Sequence, residues 1–177
     1  MKKIKIAVAG SSGRMGRALL EAVLHGADTE LGGALEVVDS PSLGKNAGEM
    51  IGAMSDVLVS ADIDAAIAGC SALIDFTRPE GTLVHLAACR KLGVNLVIGT
   101  TGFSESQKKT IAEAAQDIGI VMAPNMSVGV NLLFYISRKV TEILGEDYAV
   151  FLTQAQSSFL TKELGTVLNK FFDTRNK

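Results

Sequence analysis

A glycine-rich turn close to the N-terminus constrains the fold of this chain more than any other feature. The apolar run KIKIAVA, residues 3–9, is followed by Gly10, Gly13 and Gly16, and an apolar helical pattern then begins. This order predicts a buried strand, a tight turn and a helix N-terminus. Unpaired amides and the helix dipole favour an anion at such a position, so the arrangement suits a bound phosphate. The spacing G-x-x-G-x-x-G, with Ser12 inside it, is a variant of the dinucleotide-binding glycine pattern.

A carboxylate further along the chain strengthens this interpretation. Glu36 follows a second apolar run and lies about 20 residues after Gly16, where an acidic residue commonly binds a ribose hydroxyl. Each feature alone also fits a simpler structure, namely an ordinary strand–turn–helix or an exposed carboxylate at a strand end. Together, the glycine turn and Glu36 predict a dinucleotide site.

The rest of the chain alternates predicted strands with predicted helices. The strands are expected at residues 31–38, 57–60, 72–76, 95–98 and 119–122, and the helices at 14–24, 62–68, 79–92, 104–118 and 127–144, with a loop at 42–53. The apolar spacing assigns the buried helix faces to Met15, Leu19, Leu20, Val23, Leu83, Leu86, Ala87 and Leu92. Such alternation predicts an α/β fold with a doubly wound, Rossmann-like parallel sheet and helices on both faces.

Polar or glycine-rich residues follow most of the predicted strands. They occupy positions 10–16, 36, 76–79, 99–102 and 123–125. Ligands of open parallel sheets bind beyond the carboxyl ends of the strands. We therefore expect these five segments to meet along one edge of the sheet, over a nucleotide.

Composition excludes several other classes of protein. The chain has 177 residues, of which 47% are hydrophobic and 20% charged, enough for one domain with a substantial core. The net charge of −2 gives no basic surface for nucleic acid, and no apolar run approaches the ~20 residues that span a membrane. Cys70 and Cys89 have no metal-ligand spacing around them and are too few for a disulfide framework. They are expected to be reduced core thiols of a cytoplasmic protein without a metal site.

Five motifs in order resemble those of the dihydrodipicolinate reductase (4-hydroxy-tetrahydrodipicolinate reductase) family of bacterial lysine and diaminopimelate synthesis. They are GSSGRMGRALL from Gly10, GGALE ending at Glu36, IDFTRPEGT from Ile74, VIGTTGF from Val97 and APNMSVGVN from Ala123. The resemblance covers about residues 3–145. It implies a dinucleotide-binding domain at 1–147, and a short strand with an amphipathic helix at 148–177 that is a remnant of, or a replacement for, the substrate domain.

The resemblance also implies roles for individual residues. Those expected to bind the cofactor are Gly10, Ser12, Gly13, Arg14 and Met15 at the pyrophosphate and adenosine, Glu36 at the ribose, and Phe76, Thr77, Gly99, Thr100, Thr101, Ala123, Asn125 and Met126 at the nicotinamide. Thr101 is also expected to face a small dicarboxylate substrate. The resemblance implies NADH or NADPH as the cofactor. Family members that favour NADPH often carry a basic residue directly after the glutamate, whereas this chain has Val37, which favours NADH, although Arg14 could still serve NADPH.

The sequence departs from the family after the nucleotide-binding part. The family's substrate domain carries a two-histidine motif, a lysine and a Ser-Gly-Thr segment, and it forms the contacts of the oligomer. The two histidines of this chain, His25 and His85, lie in predicted helices of the nucleotide-binding part and are interpreted as ordinary helix histidines. No catalytic residue is therefore assigned, and homo-oligomerisation stays open.

Two alignments of the last residues with the family are open. In one, residues 154–157 (QAQS) match the family's Glu-Ala-His-His in degenerate form. In the other, which the apolar spacing favours, residues 150–153 form a strand and the following residues form the family's final helix, with most of the substrate domain missing. Two functions stay open as well: a lysine-pathway reductase, or a non-catalytic nucleotide-binding module. The runs from Ile74 and Ala123 disfavour a third, an unrelated oxidoreductase on the same fold.

Overall fold

The computed structural model describes residues 3–144, which divide into two units between Pro124 and Asn125. The first unit contains a six-stranded, all-parallel sheet in the order β3-β2-β1-β4-β5-β6. Its strands are β1 (Ile4–Ala9), β2 (Thr29–Leu35), β3 (Val59–Ser60), β4 (Ala72–Asp75), β5 (Asn95–Ile98) and β6 (Ile120–Met122). The strand order changes direction between β1 and β4, and ligands of such sheets bind at that point.

α-Helices connect successive strands, as the alternation predicts, except between β2 and β3. They are α1 (Arg14–His25), α2 (Ile63–Ile67), α3 (Pro79–Leu92) and α4 (Glu105–Ala114), and a short 3-10 turn, Glu49–Ile51, lies in the segment expected to be loop. The second unit contributes α5 (Val128–Leu144). The predicted Rossmann-like doubly wound sheet is thereby confirmed.

Two apolar clusters fill the two faces of the sheet. Successive residues of a strand point to opposite faces, and in β1 the side chains of Ala7 and Ala9 join one cluster while Val8 joins the other. The Val8 cluster includes Leu20 and Val23 of α1, and the opposite cluster is built by α2, α3 and α4. Helices therefore cover both faces of the sheet, which is why the central strands are apolar throughout.

Local sequence signals set the ends of the helices. Pro79 opens α3 and Glu80 adds a negative charge to its first turn, while Gly93 ends the helix in the left-handed conformation with φ +69°. In α4 the side chains of Ser104 and Gln107 form a capping box at the N-terminus. These four predictions from the sequence are confirmed.

Several predicted boundaries are wrong. β2 ends at Leu35, three residues earlier than expected, because its pairing with β3 ends there and Val37 and Val38 are exposed. α4 ends at Ala114 and not at residue 118, because Gln116 and Asp117 donate to carbonyls three residues back and so form tight turns.

The buried faces of two helices are also rotated from the prediction. Met15, Ala87 and Leu92 were expected to point inward, but all three are exposed. In α1 the buried face passes through Gly16, because Gly16 packs against the preceding turn, and Met15 is one position away from that face. In α3 the face passes through Leu86 and polar Thr82, which apolar spacing alone does not identify.

Both cysteines are buried and unbonded, as expected for core thiols. Burial raises the pKa of the Cys89 thiol to about 12, so this thiol stays protonated at physiological pH. Within residues 3–144, no helix is both long and apolar enough to cross a membrane.

The start of α5 is organised by polar side chains of the second unit. The Asn125 Oδ1 accepts a hydrogen bond of 2.8 Å from the backbone N–H of Ser127, and the amide of Asn131 donates to the Asn125 carbonyl at 3.0 Å. The predicted strand and helix at 148–177 lie outside the described residues. The division into domains at 147/148 stays a prediction.

Candidate functional site

The glycine turn joins β1 to α1 with close backbone contacts. Gly10 has φ +66°, a conformation that side chains rarely adopt, and its carbonyl accepts a hydrogen bond of 3.0 Å from the Gly13 N–H. A Cβ added at Gly16 would lie 2.0 Å from the Gly10 carbonyl oxygen, so only glycine fits there. Among the described residues, no side chain caps α1 at Gly13, and its first turn holds no carboxylate. The first amides of α1 are therefore available to an anion.

Glu36 is fixed beside this turn by three hydrogen bonds. Its Oε1 accepts one from the Ser12 backbone N–H at 2.8 Å and one from the Ser12 hydroxyl at 2.5 Å. Its Oε2 accepts one from the Val37 N–H at 3.2 Å. Three donors orient the carboxylate next to the helix N-terminus. The predicted association of Glu36 with the glycine turn is thus present in the structure.

A cleft of about 980 Å³ opens between the glycine turn and the start of α3. Its lining residues come from the turn, from the end of β2 and the start of α2, and from the segment after β4. They are Gly10, Ser12, Gly13, Leu35, Glu36, Val37, Val38, Ala61, Ile63, Phe76, Thr77, Arg78, Glu80, Gly81, Val84 and His85. The cleft thus lies at the carboxyl ends of β1, β2 and β4, at the point where the strand order reverses.

The wall formed by α3 is supported by a buried carboxylate at the end of β4. Asp75 is fully buried, and its Oδ1 accepts hydrogen bonds from the backbone N–H and the hydroxyl of Thr77, at 2.8 and 2.6 Å. The Thr100 hydroxyl donates to the same oxygen at 3.4 Å and accepts from Thr82 at 3.0 Å. The Asp75 Oδ2 lies 2.7 Å from the Nδ1 of His85, which must carry the proton because a carboxylate only accepts.

The hydrogen bonds to Asp75 determine its charge. Burial alone would raise the pKa of this carboxyl, but the hydrogen bonds from His85 and Thr77 outweigh burial and leave its pKa below the ordinary value. Asp75 is therefore an anion at neutral pH. It joins the end of β4, the first turns of α3 and the loop after β5 into one hydrogen-bonded group.

Asp75 and His85 were not identified as site residues from the sequence. His85 was interpreted as an ordinary helix histidine, yet it lines the cleft and its side chain is only 13% exposed. A signal was present, because Arg78, Gly81 and His85 repeat at the spacing of one helix face. Three of the four residues on that face, with Thr82 included, are polar.

Six of the residues assigned to the cofactor by resemblance line the cleft, namely Gly10, Ser12, Gly13, Glu36, Phe76 and Thr77. Others do not line it. Arg14 and Met15 are exposed in the first turn of α1, and Thr101 is exposed after β5. The Thr100 side chain is buried in the Asp75 group, so its hydroxyl is already engaged.

The remaining assigned residues differ in their surroundings. A Cβ at Gly99 would lie 2.0 Å from the Phe76 ring, so the ring can occupy this position only because residue 99 has no side chain. Ala123 donates its backbone N–H to the Ile98 carbonyl at 3.3 Å. Asn125 and Met126 belong to the second unit. The cofactor roles of all these residues stay predictions.

The chemistry of the cleft fits a dinucleotide. The glycine turn leaves no room for side chains near Gly10, the first amides of α1 suit a diphosphate, and Glu36 offers a carboxylate to a ribose. Val37, Ala61 and Ile63 add apolar surface for a base. The part of the chain from 3 to 144 holds no cluster of three metal-ligating side chains.

Comparisons with known proteins agree with this geometry. Residues 4–126 match the family model described as "Dihydrodipicolinate reductase, N-terminus". The chain is 51% identical over 156 residues to the 4-hydroxy-tetrahydrodipicolinate reductase of Cupriavidus necator, with 88% of this chain and 59% of the relative covered. It is 53% identical over 155 residues to that of Nitrosomonas europaea, with 88% and 58% covered.

A solved structure of the same family has a similar fold. A dihydrodipicolinate reductase from Paenisporosarcina sp. TG-14, solved with dipicolinate bound, superimposes with a TM-score of 0.65 at 25% identity, covering 78% of this chain and 54% of that one. The chain thus spans a little under 60% of the length of the curated relatives it matches. With the family model covering most of the described residues, the chain belongs to the dihydrodipicolinate reductase family and carries its nucleotide-binding part.

Proposed function

We propose that this chain binds NADH or NADPH as the nucleotide-binding part of a cytoplasmic reductase of lysine and diaminopimelate synthesis, acting on a dihydrodipicolinate-type dicarboxylate. The observation that carries the proposal is the Glu36 carboxylate, fixed by Ser12 and Val37 beside the uncapped N-terminus of α1. The names of the relatives at about 50% identity support the reaction. The dipicolinate in the solved family member supports the class of substrate.

The residues of the cleft have distinct tasks in this proposal. The amides that follow Gly13, at the start of α1, bind the diphosphate. Glu36 accepts a hydrogen bond from the adenosine ribose. When bound, the nicotinamide supplies a hydride to the substrate. Phe76 and Thr77, which Asp75 and Gly99 hold in place, orient it, and Thr101 faces the substrate. Orientation of the two reactants accounts for a large share of the rate of such reactions.

Among the two nicotinamide cofactors, we propose that NADH is preferred. Val37 and Val38 follow Glu36 with exposed apolar side chains, and neither can pair with a 2′-phosphate. A fixed carboxylate without a cation next to it repels that phosphate. Arg14, exposed in the first turn of α1, is the residue that could offset this repulsion.

A second candidate is a nucleotide-binding module without turnover of its own. It is favoured by the cleft, whose lining residues suit a nucleotide, whereas none of them has been assigned a catalytic role. Titration of the chain with NADH and NADPH, followed by an assay with the dihydrodipicolinate substrate, separates the candidates. Binding with turnover supports the reductase, binding alone supports the module, and absence of binding contradicts both.

Glu36→Ala should weaken NADH binding by about 1–3 kcal/mol, the scale of a lost hydrogen bond to a charged group. Isothermal titration of the wild type and the variant measures this difference. Glu30→Ala provides a matched control, because Glu30 is an exposed carboxylate near the start of β2, the strand that Glu36 follows. Equal affinity of the wild type and Glu36→Ala would exclude the ribose contact.

A further inference from the structure

We propose that Ser12 sets the choice between NADH and NADPH by holding Glu36 against the glycine turn. This inference rests on the proposed function, since it concerns how the same cleft treats its cofactor. Ser12 is a positioning residue here, because it acts through the Glu36 carboxylate. The observation is that two of the three hydrogen bonds to Glu36 come from Ser12, one from its backbone and one from its hydroxyl.

These bonds leave the two carboxylate oxygens with unequal roles. The Oε1 of Glu36 is occupied by both Ser12 donors, whereas the Oε2 accepts one hydrogen bond, from Val37, among the described residues. A carboxylate oxygen has two lone pairs, so Oε2 keeps capacity for a ribose hydroxyl. The carboxylate is therefore oriented for an unphosphorylated ribose before any nucleotide arrives.

The fixed Glu36 carboxylate would repel the 2′-phosphate of NADPH. The phosphate group carries about two negative charges at pH 7. The Glu36 carboxylate is held in place by its three donors. Accommodating the phosphate requires the Glu36 side chain to rotate away from the turn, which breaks the bonds from Ser12. The Ser12 hydroxyl thus adds to the cost of binding NADPH while leaving the cost of binding NADH unchanged or lower.

Apart from Arg14, which is exposed at the start of α1 and does not line the cleft, the surroundings offer little to offset this repulsion. The cleft lining contains one arginine, Arg78, from the opposite wall, together with a second carboxylate, Glu80. The neighbouring Arg17 is engaged with the turn itself, because its Nε donates to the Ser12 carbonyl at 3.0 Å. That bond also stiffens the segment that carries Ser12.

The test measures the dissociation constants of NADH and NADPH by titration calorimetry. The full chain is compared with its Ser12→Ala variant. The ratio of the NADPH constant to the NADH constant should fall about fivefold, the change expected when one of the bonds that hold Glu36 is lost. Ser12→Thr, which keeps a hydroxyl, should restore the wild-type ratio. Ser11→Ala is the matched control, since the Ser11 hydroxyl is buried with no partner among the described residues.

A second background shows whether Ser12 acts through Glu36. In Glu36→Ala, adding Ser12→Ala should leave the ratio of the two constants unchanged. An equal fall of the ratio in both backgrounds would mean that Ser12 contacts the nucleotide directly, and would overturn the inference. An unchanged ratio in Ser12→Ala, with NADH still bound, would overturn it as well and leave the proposed function standing. Failure of the wild type to bind NADH would overturn both.

Discussion

Replacing Asp75 by alanine should lower the free energy of unfolding by about 3–5 kcal/mol, the usual cost of removing one partner of a buried pair. Asp75 is fully buried, and it accepts hydrogen bonds from Thr77, Thr100 and His85. Alanine would leave these donors without their acceptor in the interior. Urea unfolding of the two proteins at pH 7 measures the difference. Nucleotide affinity should fall too, because Thr77 and His85 line the cleft.

The same carboxylate gives the prediction a pH dependence. Because the pKa of Asp75 is lowered in the folded state, the ionised group contributes stability above the ordinary carboxyl pKa of about 3.9. That contribution is lost as the pH falls through the lower folded value. The difference in the free energy of unfolding between wild type and Asp75→Ala should therefore be constant near neutral pH and should decrease below about pH 4. Asp75→Asn keeps an acceptor for Thr77 and should lose less than alanine does.

Asp117→Ala is a suitable control, because Asp117 also pairs with a base, Arg90, but both side chains are exposed. Exposed ion pairs contribute little to stability, so its unfolding midpoint should stay close to that of the wild type. Equal effects of the Asp75 and Asp117 substitutions would show that the buried hydrogen-bonded group does not stabilise the fold.

Gly16→Ala should destabilise the chain by about 3 kcal/mol, at the upper end of the usual cost of overpacking. The added Cβ would lie 2.0 Å from the Gly10 carbonyl oxygen and 2.7 Å from backbone atoms of Ser11. None of these atoms can move aside as a side chain would, so α1 must shift away from the turn. NADH affinity should fall together with stability, because the shift displaces the amides at the start of α1.

A helical glycine with open surroundings separates this steric effect from helix propensity. A Cβ at Gly129 in α5 would find its nearest neighbour, the Ser127 hydroxyl oxygen, at 3.8 Å, an ordinary contact. Alanine is the better helix former, so Gly129→Ala should leave stability unchanged or slightly higher. Thermal unfolding and NADH titration of both variants make the comparison. A Gly16→Ala protein as stable as the wild type would rule out the close packing of α1 on the turn.

The features that could be predicted from sequence are those that depend on residues close together in the chain. Strand β5 was predicted with its observed bounds because an apolar run ends at Gly99. The starts of α3 and α4 follow from Pro79 and from the pair Ser104 and Gln107, whose side chains act within one turn of their own helix. Glu36 was placed at the glycine turn because parallel strands end on the same edge of a sheet.

The features that could not be predicted depend on contacts between distant segments. Ser12 and Glu36 are 24 residues apart, and nothing local indicates that the hydroxyl of one binds the carboxylate of the other. Asp75 and His85 belong to a strand and a helix whose relative placement only the fold defines. The exposure of Met15 also depends on a contact outside its own helix. The Gly10 carbonyl packs against Gly16 and so determines which face of α1 is buried.

The order of the strands has a consequence for the synthesis of the chain. β1 pairs with β2 along one edge and with β4 along the other, and the second pairing joins Ile6 to Ala72. While a ribosome is still producing the intervening residues, one side of the central strand has open N–H and C=O groups, an arrangement that promotes wrong pairing with other chains. The cleft needs residues from β4 and α3 as well. A nascent chain therefore gains its protected central strand and its nucleotide cleft in the same step, once the segment around Asp75 has left the ribosome.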